Sequence, residues 1–291
     1  FSNTASGSWT LRYNTTGYSN TASGYQSLYS KTTGADNTAL GRFSLYNNTT
    51  GDSNVALGRT SLYNNTTGTE NIAIGRSALY TNTTGSYNTA TGHNSLYSNT
   101  TGADNNASGY QSLYSNTTGE YNTAAGYHSL YSNTSGSHNT ASGGNSLYLN
   151  TTGSRNTASG YQSLYSNSTG FRNAASGDQS LFSNTTGSNN TAFGYNAQAS
   201  AVDATNQTVI GYEATGQADN SVVLGNDDVT AVYMGEDSGA TIYAAGLRTA
   251  SNAVLTLSAD DATFADDLTV SGDVVISSDA RLKSNIVSLG S

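Results

Sequence analysis

Residues 3–189 are eleven consecutive copies of one 17-residue unit, N-T-A-x-G-Y-x-S-L-Y-x-N-T-T-G-x-x, as in residues 105–121 and 156–172. One glycine recurs every 17 residues from Gly7 to Gly194, and a second runs from Gly17 to Gly187. Leu recurs in the same way from Leu11 to Leu181, and in ten copies an aromatic follows it, Tyr29 through Tyr165 and then Phe182. A period this short excludes helical-hairpin repeats, which need about 33 residues or more. It suits one coil holding two short strands and two turns. The spacing therefore predicts an all-β fold, a parallel β-solenoid or β-roll. T-A-x-G-Y and S-L-Y-x are expected as its strands, with N-T-T-G and a tighter bend as its corners. Gly and Asn tolerate the left-handed backbone such corners require. Stacking at about 4.8 Å per coil predicts a rod of roughly 58 Å for twelve coils.

Composition supports order by repetition. The chain has 32 Gly and 21 Tyr but no Pro and no Cys, and only 10% of its residues are charged. Low charge with abundant Gly, Asn, Ser and Thr is also a signature of disorder, but apolar residues at fixed spacing argue against it. Without cysteine there is no disulfide framework and no thiol or zinc-finger chemistry, so stability must come from stacking. No run approaches the roughly 20 apolar residues that cross a bilayer, and no membrane span is expected. Phe1 falls inside a repeat, so the chain is expected to be part of a longer one. The net charge of −9 is uneven: residues 1–202 hold seven basic and six acidic residues, residues 203–291 three and thirteen. Neither part has the basic stripe of a nucleic-acid binder, and nucleic acid is not expected as a partner.

The adjacent Leu and Tyr columns carry a further inference. The pairs Leu28–Tyr29, Leu45–Tyr46 and Leu113–Tyr114 are candidate core residues, with Gly109 and Gly126 at the corners. Neighbouring strand residues point to opposite faces. One column can fill the interior, which leaves the other outside as a larger apolar patch than a soluble monomer tolerates. Burial against other chains resolves this, so a homo-oligomer is expected. The competing reading is an exposed Tyr platform that stacks sugar rings, with a cell-surface glycan or receptor as partner. The column after the first glycine mixes Arg42, Arg59, Arg76, His93, Tyr110 and Asp178, which marks an outward face, read here as a solvated edge.

The repeat fades after Asn190. Gly211 and Gly225 are 14 apart, with fuller apolar strands at Thr208–Ile210 and Val222–Leu224. Ala253–Leu257, Leu268–Val270 and Val274–Ile276 read as further short strands between Asp/Gly/Ser turns. The expected organisation is a 17-residue-repeat shaft over 1–206, 14-residue-type coils and a cap over 207–240, an acidic β neck over 241–277 and a distinct terminal segment over 278–291. Solenoid ends need capping, because an open end templates aggregation.

These motifs carry two resemblances. N-T-A-x-G, tightening to Ser221–Gly225 (S-V-V-L-G) at a spacing of 14, resembles the head repeats of trimeric autotransporter adhesins over about three quarters of the chain. That resemblance implies three chains, each a β-roll, packed about one axis. The segment Ser278–Ile286 (S-D-A-R-L-K-S-N-I) is similar to the start of the self-cleaving intramolecular chaperone (peptidase S74-type) that ends many phage tail fibres and tailspikes. It implies that Ser278 is the nucleophile, that Lys283 assists it, and that the scissile bond precedes Ser278. A serine is a weak nucleophile until a base takes its proton. Only fourteen residues of that domain are present here, so the motif reads as a relic of assembly.

Other chemistry has little support in the sequence. His93, His128 and His138 occupy three different columns and do not align as metal ligands. The acidic pairs Asp227–Asp228, Asp260–Asp261 and Asp266–Asp267 lack the calcium-loop pattern. No phosphate-binding lysine follows the glycines, and no G-x-S-x-G is present. No metal, no cofactor and no enzymatic activity beyond the Ser278 remnant are expected. Asn-x-Ser/Thr recurs from Asn14 and Asn48 through Asn184; these sequons read as a by-product of the corner, where Asn and Thr bond the turn backbone.

The expectation is thus a structural and adhesive fibre segment, a phage tail fibre shaft supporting host-receptor attachment, extracellular or on the virion surface. A bacterial cell-surface filament or trimeric adhesin is the alternative. An ice-binding solenoid is a third reading. It needs a flat T-x-T strand face, whereas the paired threonines here fall in the glycine corner.

Overall fold

The computed structural model describes residues 2–30 and 32–230. The cap residues 231–240, the expected neck over 241–277 and the segment 278–291, with Ser278 and Lys283, lie outside the described residues. So do the expected strands within the neck.

Each coil contributes one three-residue strand. These are β1 (Thr4–Ser6), β2 (Thr21–Ser23), β3 (Thr38–Leu40), β4 (Val55–Leu57), β5 (Ile72–Ile74), β6 (Thr89–Thr91) and β7 (Asn106–Ser108). They continue as β8 (Thr123–Ala125), β9 (Thr140–Ser142), β10 (Thr157–Ser159), β11 (Ala174–Ser176), β12 (Thr191–Phe193), β13 (Thr208–Ile210) and β14 (Val222–Leu224). All fourteen pair in sequence order in one sheet. Every pairing is parallel and in register, so Ala22 faces Ala39 and Ala39 faces Ala56. The step is 17 residues as far as Thr191↔Thr208 and then shortens to 14 at Thr208↔Val222. Thirteen steps of about 4.8 Å give a sheet about 62 Å long. The all-β solenoid expected from the repeat is the fold observed.

A left-handed residue bounds each strand on both sides. Asp36, before the β3 coil's Asn37, has φ +57°, and Gly41, after β3, has φ +140°. At Gly109 (φ +139°) a side chain is excluded twice, by its backbone conformation and by the Gly126 carbonyl of the next coil. Gly126 stands in the same relation to Gly143.

The second expected strand does not form. Along S-L-Y-x, Leu adopts φ between +48° and +52° in every copy, for example Leu28 at +49° and Leu113 at +51°. Extended strands require φ near −120°. The residue two before each Leu is also left-handed, as at Gln26 (+53°) and Gln111 (+53°). A left-handed L-residue costs roughly 1–2 kcal/mol, and burying a leucine contributes about 1.5–3 kcal/mol. Each Leu N–H is also satisfied by the next coil, Leu28 donating to Ser44 O at 3.0 Å and Leu113 to Ser129 O at 2.9 Å. Burial and inter-coil bonding therefore hold a conformation that local preference opposes. Alternation of strand faces does not apply to Leu and Tyr, so the premise of the two-faced argument above is corrected.

The interior is narrow. Its columns are the strand-centre Ala (Ala39, Ala107), the Leu column (Leu28, Leu45 and Leu113, all 0% exposed) and a serine column (Ser27, Ser112). Two columns of asparagine complete it. Asn37 and its equivalents lie just before each strand, and Asn48, Asn65, Asn82 and their equivalents lie in the N-T-T-G corner. A polar interior is tolerable only when every group is bonded, and here the ladder repeats its own solution. Asn54 N–H and Nδ2 both donate to Asn37 Oδ1, at 3.0 and 3.1 Å, and Nδ2 also donates to Gly68 O at 2.8 Å.

Candidate functional surfaces

Three exposed faces surround this core, and each is a column of the repeat. The first is the aromatic ladder. From Tyr29 through Tyr165 to Phe182 consecutive rings stack with centroids 4.9–5.2 Å apart and planes within 3–11° of parallel. Tyr29, Tyr46 and Tyr114 are half-buried, not interior like their neighbouring leucines. Each stacked pair contributes about 0.5–1.5 kcal/mol, so much of the Tyr surface is covered within the chain itself. Burial raises the phenol pKa values of Tyr63, Tyr97 and Tyr131.

The ladder is densest around His128, on the column two after the glycine. Its ring lies 3.8 Å from Tyr127, 5.0 Å from Tyr131, 5.6 Å from Tyr110 and 5.9 Å from Tyr148, centroid to centroid. Nε2 is 2.7 Å from Gln111 Oε1, an acceptor, so the proton sits on Nε2. Burial lowers its pKa. Gly144 takes the ring position between Tyr127 and Tyr161, which leaves a gap in the outer tyrosine column. Exposed rings beside amide and imidazole groups are the chemistry of a sugar-stacking surface.

The second face is the N-T-T-G corner, which carries the sequons. Asn99 is 0% exposed, and its Nδ2 donates to Asn82 Oδ1 (2.8 Å) and Gly102 O (2.9 Å). The carboxamide is thus committed to the fold, as the corner reading expected. The corner threonines close the adjoining backbone, Thr100 Oγ1 donating to Thr117 O at 3.0 Å.

The third face is the outer side of the sheet, where the first and third residues of each strand project. Among the described strands only β6 carries Thr at both positions, Thr89 and Thr91; elsewhere Thr is paired with Ser, Ala or an apolar residue. A regular T-x-T array is therefore confined to one coil. β3–β5 are aliphatic on this side, through Leu40, Val55, Leu57, Ile72 and Ile74, and β12–β14 are apolar again through Phe193, Ile210, Val222 and Leu224.

The three histidines stay apart, as their columns predict. His93 and His128 are half-buried beside tyrosines, while His138 is exposed and stacks on Tyr121 at 5.0 Å. Among the described residues no group of three or more His, Cys, Asp or Glu could hold a metal ion. Nor does any described helix have the length and apolarity to cross a membrane. The buried asparagine ladders are absent from the sequence reading, which placed Asn in turns. The available signal was two asparagines per unit, eleven residues apart, each nearly unbroken along its column. No protein-family model matches the chain, and no curated protein matches it.

Proposed function

We propose that this chain is a structural and adhesive fibre segment, the shaft of a phage tail fibre that supports host-receptor attachment. The observation that carries the reading is the core itself. Coil after coil repeats the same Ala, Leu, Ser and Asn positions without interruption, an arrangement that extends indefinitely and suits a spacer. The likeness of Ser278–Ile286 to a fibre chaperone points the same way and adds a homotrimer, extracellular or on the virion. Variable outward columns, with Tyr110, Tyr127 and His128 as the densest aromatic group, are where a cell-surface glycan would stack. A bacterial surface filament would use the same rod. An antiserum raised against the purified chain separates these readings under the electron microscope. Labelling of virion fibres supports the proposal, labelling of a bacterial surface supports the filament, and labelling of neither overturns both.

A further inference from the structure

Period-two alternation on the outer sheet face continues past both strand ends. Across the β3 coil Asp36, Leu40 and Arg42 are exposed while Asn37 and Ala39 are buried; the β5 coil repeats this with Glu70, Ile72, Ile74 and Arg76. Every row of the sheet therefore ends in two edge positions, one just before the Asn column and one just after Gly. Of the thirteen charged residues in 1–202, eleven lie at these edges or one residue beyond.

The signs at the two edges are coupled. The β3 row has Asp36 on the first edge and Arg42 on the second, and the β5 row has Glu70 and Arg76. Arg59 ends the β4 row on the second edge, with Asp52 beside the first. The β11 row is inverted, with Arg172 on the first edge and Asp178 on the second. No row carries the same sign twice. These partners cannot satisfy each other within one chain, because six extended residues separate them by up to about 20 Å, far beyond the roughly 4 Å of an ion pair.

We infer that the outer sheet face binds further copies of this chain, parallel and in register, so that the first edge of each row meets the second edge of the same row on a neighbour. This rests on the homo-oligomeric fibre reading and specifies its contact surface. In that arrangement Asp36 meets a neighbour's Arg42, Glu70 meets Arg76, and the inverted row supplies Arg172 with Asp178. The aliphatic patch Leu40, Ile72 and Ile74 (39–41% exposed) then covers its own equivalents, and so does the Phe193–Leu224 patch. An antiparallel face-to-face pair cannot do both. Setting β3 against β11 matches the charges but lays aliphatic rows on Thr and Ser. Setting β3–β5 against β12–β14 matches the apolar patches but leaves the charged rows facing neutral ones. Complementary edge charges of this kind fix register and exclude wrong partners.

The full chain has no cysteine, so introduced thiols report uniquely. Three exposed-site double variants are treated with a short bis-maleimide: Asp36→Cys/Arg42→Cys, Arg172→Cys/Asp178→Cys, and Asp36→Cys/Arg172→Cys as the antiparallel control. Covalent oligomers from the first two and none from the third are expected, with circular dichroism unchanged from the parent. Light scattering on the parent chain separates the two layers of the argument. An oligomer that links only through the control, or through none of the three, overturns this face and leaves the fibre reading standing. A monomer overturns both.

Discussion

Asn105 and Asn116 meet on one carbonyl: the two side-chain amides donate to Gly119 O from opposite columns of the core, at 2.8 and 3.0 Å. The two asparagine ladders are thereby joined in each coil, and each is also joined to the coil before it. Asn116 Nδ2 reaches Asn99 Oδ1 at 2.8 Å, and Asn133 Nδ2 reaches Asn116 Oδ1 at 2.8 Å. Asn116→Ala leaves Asn99 Oδ1 buried without its donor and removes one acceptor from Asn133. At about 1–3 kcal/mol per unsatisfied buried group, a loss of about 2–4 kcal/mol is expected. Urea unfolding followed by circular dichroism measures it.

The chain contains its own break in this ladder. Position 31 of the corner column is Lys where the neighbouring coils have Asn14 and Asn48. Asn14 Oδ1 is buried with no hydrogen-bond partner, while its Nδ2 still donates to Gly17 O at 3.1 Å. Lys31→Asn supplies the missing donor and is expected to stabilise the chain by about 1–2 kcal/mol. A higher urea midpoint at unchanged slope confirms the repair; no change refutes it.

Leucine at φ +51° makes an unusual prediction for a conservative change. Leu113→Ile preserves volume, and such swaps in cores ordinarily cost less than about 1.5 kcal/mol. A β-branched side chain strongly disfavours the left-handed region, so the cost here should reach about 2–4 kcal/mol. Were S-L-Y-x a strand, Ile would be favoured and the variant would be close to neutral. The unfolding midpoint of Leu113→Ile thus tests the correction to the expected second strand.

His128 predicts a pH dependence whose sign follows from its surroundings. Burial lowers its pKa in the folded chain, so below about pH 6.5, the ordinary histidine value, the unfolded chain binds a proton that the folded chain resists. Stability is then fully present above that pH and declines as pH falls toward the lowered folded value. His128→Gln should remove this component, seen as a flatter profile of unfolding midpoint against pH between neutrality and pH 5.

What the sequence made legible follows from which forces act along the repeat. Gly at 109 and 126, Leu at 28, 45 and 113 and the 17-residue period identify coils, corners and core, because stacking forces every coil to repeat its neighbour. Tyr29, Tyr46 and Tyr114 were placed less well. Their hydrophobicity suggested a face that other chains must bury, but rings spaced by one coil are already at stacking distance and cover each other. Asn37 and Asn48 were read as turn residues on propensity, and their burial depends on a ladder that only stacked copies create. The strand assigned to S-L-Y-x failed because inter-coil hydrogen bonds and Leu burial outweigh local backbone preference.

The mass of the chain in solution tests the fibre account most directly. One chain is 30.0 kDa, and a trimer built on the sheet face should scatter light as a particle of about three times that mass. A concentration-independent mass of a single chain would contradict it.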